Sequence, residues 1–126
     1  MKAAFLEHAN ITVADPDKLA SLLCSIFSWQ VRWRGKAKNN GYTVHVGNES
    51  SYLALYKPTS FRAVSGDYQT KANVNHIGIV VQNLDDIEKK VLELNLDTFN
   101  HGDYEPGKRF YFMAQEHIEI EVISYE

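Results

Sequence analysis

Two histidines stand in matching contexts. His76 is the only ionisable side chain in the run Val74-Asn75-His76-Ile77-Gly78-Ile79-Val80-Val81. That run is rich in β-branched residues and suits a buried strand of about eight residues. On an alternating pleat His76, Gly78 and Val80 share one face, and Ile77, Ile79 and Val81 share the other. One face is expected to pack, and the other to line a cavity with an imidazole at its mouth. His8 holds the same place in Leu6-Glu7-His8-Ala9-Asn10-Ile11-Thr12-Val13. A lone histidine in a strand is more often a satisfied structural or surface residue than a metal ligand. Two in equivalent places single the pair out.

The elements that must carry these histidines read as the same order written twice. After the His8 strand, Asp15 can cap a helix whose first position suits Pro16. Leu19, Leu22, Leu23 and Ile26 then recur at helical spacing and predict a helix ending near Phe27-Ser28. Gln30 to Arg34 alternates as a second strand, and Lys36 to Gly41 is a polar turn. Tyr42 to Val46 and Tyr52 to Tyr56 are two further strands, joined as a hairpin through Gly47-Asn48-Glu49-Ser50. Lys57 to Ala72 has no sustained period and reads as a linker. In the second half the His76 strand precedes a helix capped by Asn83. Asp85 and Asp86 sit in its first turn, and Leu84, Ile87, Val91 and Leu94 form its expected buried stripe. Leu96 to Phe99 reads as a short strand, His101 to Gly107 as a loop, and Arg109 to Met113 with Ile118 to Ile123 as a closing hairpin.

The offset between the halves is consistent. From His8 to His76 is 68 positions; overlaying Tyr52-Leu53-Ala54-Leu55 on Glu119-Ile120-Glu121-Val122 gives 67. Two independent anchors agreeing within one residue indicate an internal duplication. The expected fold class is α+β: two tandem βαβββ modules, at about residues 5–57 and 73–125, within one domain spanning 1–126.

Composition narrows the function classes. Hydrophobic residues make up 44% and charged residues 23% of the 126 positions, as in an ordinary globular chain. The net charge of −3, without blocks of like charge, recruits neither nucleic acid nor an anionic membrane. The apolar runs are far short of a membrane span. A single cysteine, Cys24, and the lack of a signal-peptide core make the cytoplasm the expected compartment.

Paired βαβββ modules that each open on a histidine strand resemble the vicinal oxygen chelate superfamily. Its members include glyoxalase I, extradiol dioxygenases, methylmalonyl-CoA epimerase, fosfomycin-resistance enzymes and bleomycin-binding proteins. The resemblance covers about residues 5–125. It implies that each module curls into a half-barrel and that one divalent ion (Fe, Zn, Ni, Mn or Co) sits in a shared cavity. Carried over residue by residue, the ligands are His8, His76 and Glu121, the last within the apolar-Glu-apolar triplet Ile120-Glu121-Val122. Where glyoxalase-like members place a fourth ligand, this chain has Ala54. Two imidazoles and one carboxylate remain, the set of non-haem Fe(II) oxygenases. That weighs against a glyoxalase I site and leaves dioxygenase, isomerase or lyase, and epimerase chemistry open. Fosfomycin transferases carry a phosphonate-binding arginine beyond the metal glutamate, and no arginine follows Glu121 here.

The resemblance implies a metalloenzyme acting on a small molecule that chelates the ion through vicinal oxygens. The alternative is a metal-free, bleomycin-resistance-type protein that sequesters a flat ligand, for which Trp29, Trp33, Tyr52 and Tyr56 speak. It also implies a homodimer, in which His8 of one subunit can join His76 and Glu121 of the other by module exchange. Tyr56, on the face of Ala54, can donate to a substrate oxygen or simply pack. Asn10 follows His8 on its face as a candidate cavity residue. Arg109 can pair with a substrate carboxylate or stand as a solvated charge. Glu119 reads as an edge-exposed charge, and His45, His101 and His117 receive no role. A one-residue register decides whether Arg109 and Tyr111, or Phe110 and Phe112, face the cavity.

Overall fold

Helix α1 (Pro16–Phe27) begins where the sequence chemistry asks. The Asp15 carboxylate accepts the Lys18 N–H at 3.1 Å, satisfying one of the helix's orphan donors. Ser28, at φ 57°, ends it by donating its N–H to the Cys24 carbonyl. This is a computed structural model that describes residues 2–62 and 67–126. These residues form two compact units, split at the 62/63 boundary, and each is a module of the predicted kind. Part of the expected linker, residues 63–66, lies outside the described residues.

In the first unit, β1 (His8–Thr12) runs parallel to β4 (Tyr52–Lys57). Next come β3 (Tyr42–Gly47) and then β2 (Gln30–Lys36), both antiparallel to their neighbours, in the order β1-β4-β3-β2. Alternation divides the sheet. Val44, Val46, Leu53 and Leu55 are buried together with Leu19, Leu23 and Ile26 of α1. The reverse face carries His8, Asn10, Tyr52, His45 and Trp33. The β3–β4 turn is built on Asn48, whose side chain accepts the N–H groups of Ser50 and Ser51, both at 2.9 Å. A Cβ at Gly47 would lie 2.3 Å from the Ser51 oxygen, so that turn requires glycine.

The second unit repeats the plan. Strand β5 (Ile77–Val80) is parallel to β8 (Ile118–Ser124), followed by β7 (Gly107–Ala114) and β6 (Thr98–Tyr104). Helix α2 (Leu84–Glu93) is capped by Asn83, which accepts the Asp86 N–H. Phe110, Phe112, Ile120 and Val122 are buried together with Val91 of this helix. Register supports the duplication: Asn10 pairs with Ala54 and Gly78 with Glu121, giving the same offsets of 68 and 67.

Three expectations are corrected. The His76 strand is half its expected length: pairing starts at Ile77 opposite Ile120, and Val74 is 77% exposed. β-Branched residues favour a strand, but it extends only as far as a partner ladder accompanies it. Residues 101–104, expected in a loop, belong to β6. A register shift between Phe99 and Gly102 and a positive φ at Asn100 hide the alternation there. Of the expected buried stripe only Val91 is buried: Leu84 and Ile87 are half-buried, and Leu94, beyond the end of α2 at Glu93, is 41% exposed.

Candidate functional site

Burial of Phe110 and Phe112 decides the open register. Arg109 and Tyr111 lie on the other face of β7, with Tyr111 directly opposite Glu121. Because β8 is an interior strand, Glu119 and Glu121 project onto this same face rather than from an edge. His76, just ahead of β5, brings its Nε2 within 3.1 Å of Glu121 Oε1, and its Nδ1 lies 3.9 Å from Glu119 Oε2. The second Glu121 oxygen accepts from Arg109 Nη1 at 3.0 Å. The Glu119 and Arg109 side chains are each only 12% exposed. Neither matches the solvated reading.

Around this centre the donors are unevenly satisfied. Arg109 packs over the Tyr104 ring, while its Nε and Nη2, and His76 Nδ1, have no hydrogen-bond partner among the described residues. The Tyr68 ring stacks on His76 at 6.3 Å, and its hydroxyl donates to Glu119 Oε2. That hydrogen bond, with burial and the carboxylate charge, pushes the Tyr68 hydroxyl up to about 12, so it remains a donor. Burial first, then the Glu121 charge, also raises the Tyr111 hydroxyl. A Cβ at Gly78 would meet nothing nearer than Glu121 Oε1 at 3.9 Å, so space beside the carboxylate is open.

His76 and Glu121 fit a shared ion. Two donors bound to one ion at about 2.0–2.2 Å stand roughly 3 Å apart, close to the observed separation. Within neither unit do three His, Cys, Asp or Glu side chains form a metal-holding group among the described residues. His8 belongs to the first unit, where its Nδ1 lies 2.9 Å from Glu7 Oε1 and its ring stacks on Tyr52 at 4.8 Å.

On the first unit's open face, Asn10, Ala54, His45 and Trp33 form one cross-strand row. The Tyr52 ring stacks with both His8, at 4.8 Å, and His45, at 4.7 Å. Arg32, turned by the irregularity between Val31 and Trp33, sits over the same Tyr52 ring. Burial, then the His8 and Arg32 charges, lowers the His45 pKa. The Tyr56 hydroxyl donates to the Lys38 carbonyl at 2.9 Å. His45 and Tyr68 are the residues that sequence reasoning passed over. Alternation with Val44 and Val46 carried a signal for His45, whereas Tyr68 lies in an aperiodic stretch with none.

No family profile matches the sequence, and no curated protein matches it. Solved structures do. A glyoxylase/bleomycin resistance protein/dioxygenase domain from Frankia sp. EAN1pec superposes with a TM-score of 0.82 at 17% identity, covering 98% of each chain. The fold is that of the vicinal oxygen chelate proteins. The trypanothione-dependent glyoxalase I of Leishmania major matches at TM-score 0.78 and 16% identity, over 98% of this chain and 88% of that one. The fosfomycin resistance protein FosX of Listeria monocytogenes, complexed with Mn(II) and sulfate ion, matches at 0.69 and 15%, over 98% and 93%. In this chain no helix among the described residues is long and apolar enough to cross a membrane.

Proposed function

We propose that this chain is a metal-dependent enzyme acting on a small molecule that chelates a divalent ion through neighbouring oxygens. The ligands are His76 and Glu121, with His8 as the third. The observation that carries the reading is the 3.1 Å approach of His76 Nε2 to Glu121 Oε1, on a face where a nearly buried arginine keeps two donors unpaired. The Mn(II) in the similar FosX structure adds support. Glu7 supports the role of His8: in the neutral tautomer that donates from Nδ1 to Glu7, Nε2 keeps the lone pair that a metal needs.

Bound between these ligands, a divalent ion supplies Lewis-acid stabilisation for negative charge developing on a substrate oxygen. The protein's own groups do the rest. Arg109 Nε and Nη2 form a fork that can bind an anionic substrate group while Nη1 holds Glu121 in place. Tyr68 keeps its proton and can donate to a substrate oxygen by exchanging partners with Glu119. Asn10 and Tyr56 belong to the substrate-binding face of the first unit. Dioxygenase, isomerase or lyase, and epimerase chemistries all suit this arrangement. The working assembly is a cytoplasmic homodimer, with module exchange as one route for uniting His8 with His76 and Glu121.

The row of rings on the first unit favours a second reading, a metal-free protein that sequesters a flat ligand. Reconstitution with Co(II) separates the two. The enzyme reading predicts visible absorption bands that His76→Ala and Glu121→Gln each abolish; bands unchanged in both variants would overturn the assigned ligands.

A further inference from the structure

The first unit's open face holds a cavity of ≈ 540 Å³, a size that suits a small organic ligand. Its walls differ in kind. Trp33 is 51% exposed yet held in position. A Cβ at Gly35 would come within 2.9 Å of the indole, so glycine is what lets the ring lie over the strand. His45 tilts against Trp33 with ring centroids 5.4 Å apart. Its pKa is lowered, chiefly by burial, and its ring adds aromatic surface. Lys36 and Lys38 also line the cavity, and among the described residues no carboxylate does. Asn10 and Thr43 complete its polar lining. Thr43 is 94% buried, and its hydroxyl has no hydrogen-bond partner among the described residues. A buried hydroxyl left unpaired in a cavity wall is costly unless something arrives to bond it.

We propose that this cavity binds a planar aromatic molecule carrying an anionic group. The ring lies against Trp33 and His45, the anion faces Lys36 and Lys38, and a polar atom bonds Asn10 and Thr43 Oγ1. An indole favours an offset-stacked ring over a saturated one of equal size, and two lysines without a competing acid favour an anion over a neutral group. The inference deepens the preceding reading by naming the substrate class, since Asn10 follows His8 on the same face of β1. Its test uses metal-free protein, so the two can fail separately.

The probe is 2-naphthoate, titrated calorimetrically into the full chain in EDTA, with 2-naphthol and decahydro-2-naphthoate as neutral and non-planar comparators. The naphthoate is expected to bind about tenfold more tightly than either. Trp33→Leu should erase its advantage over the saturated acid, and Trp33→Phe should keep part of it. The Lys36→Gln/Lys38→Gln double variant should erase its advantage over naphthol, and Thr43→Val should weaken naphthoate binding while the protein stays folded. Equal affinity for the planar and saturated acids, or undiminished binding by a folded Trp33→Leu protein, would overturn the aromatic half. Equal affinity for naphthoate and naphthol in the native protein would overturn the anionic half.

Discussion

Arg109 and His76 divide the Glu121 carboxylate between them, Arg109 Nη1 taking Oε2 at 3.0 Å and His76 Nε2 standing 3.1 Å from Oε1. The guanidinium neutralises a poorly solvated charge at one oxygen and leaves the other to His76. Arg109→Met removes that compensation. Because leaving a largely buried charge unpaired is costly, metal-free protein should lose about 3–5 kcal/mol of unfolding free energy in urea. Saturating Mn(II) should restore part of the loss, since the ion binds only the folded site. An equal loss with and without Mn(II) would contradict the shared-carboxylate account.

Tyr68 offers a spectroscopic check. Its hydroxyl is pushed up to about 12, chiefly by donating to Glu119, whereas an unfolded tyrosine titrates near its ordinary value of 10.0. The folded state holds the proton more tightly, so its contribution to stability is complete below the unfolded value. It is lost as pH rises from about 10 to about 12. Absorbance near 295 nm should show a tyrosine titrating at about 12 that Tyr68→Phe removes.

The outer side of the second unit has its own acid sensitivity. Glu88 is raised by burial, but hydrogen bonds from Thr98 and His101 and the His101 charge outweigh this and lower its pKa. Its depressed folded value means a stabilising contribution that is present above the ordinary value of 4.5 and lost as pH falls through the folded value. Glu88→Gln should therefore destabilise the protein at pH 7, and the difference from wild type should shrink as pH falls below 4.5.

The packing beneath the candidate metal face is testable through Phe110, fully buried in the second unit. Phe110→Ala should cost about 3–5 kcal/mol in chemical denaturation, whether or not a metal is bound. A loss below about 1 kcal/mol would mean that the register placing Arg109 and Tyr111 on the open face is wrong.

Much of this architecture was legible because it follows from periods. Alternation defined β3, β4, β7 and β8, the caps at Asp15 and Asn83 marked both helices, and the duplicated offset matched Asn10 to Gly78 and Ala54 to Glu121. What stayed hidden depends on partners distant in sequence. The orientation of Arg109 rests on a single-residue register that only the burial of Phe110 and Phe112 decides. The strand through residues 101–104 was masked by the backbone of Asn100, and the end of β5 is set by where β8 pairs with it. Tyr68 reaches Glu119 and His76 from an aperiodic stretch, a placement no local pattern encodes.

The central claim is that His76, Glu121 and His8 hold one divalent ion. Elemental analysis of protein purified anaerobically without a chelating tag tests it most directly, alongside His76→Ala, Glu121→Gln and His8→Ala. About one iron, zinc, nickel, manganese or cobalt per chain, lost in each variant, is the predicted result. No metal in the native protein, even after reconstitution with each of those ions, would contradict the account and leave the ligand-binding module in its place.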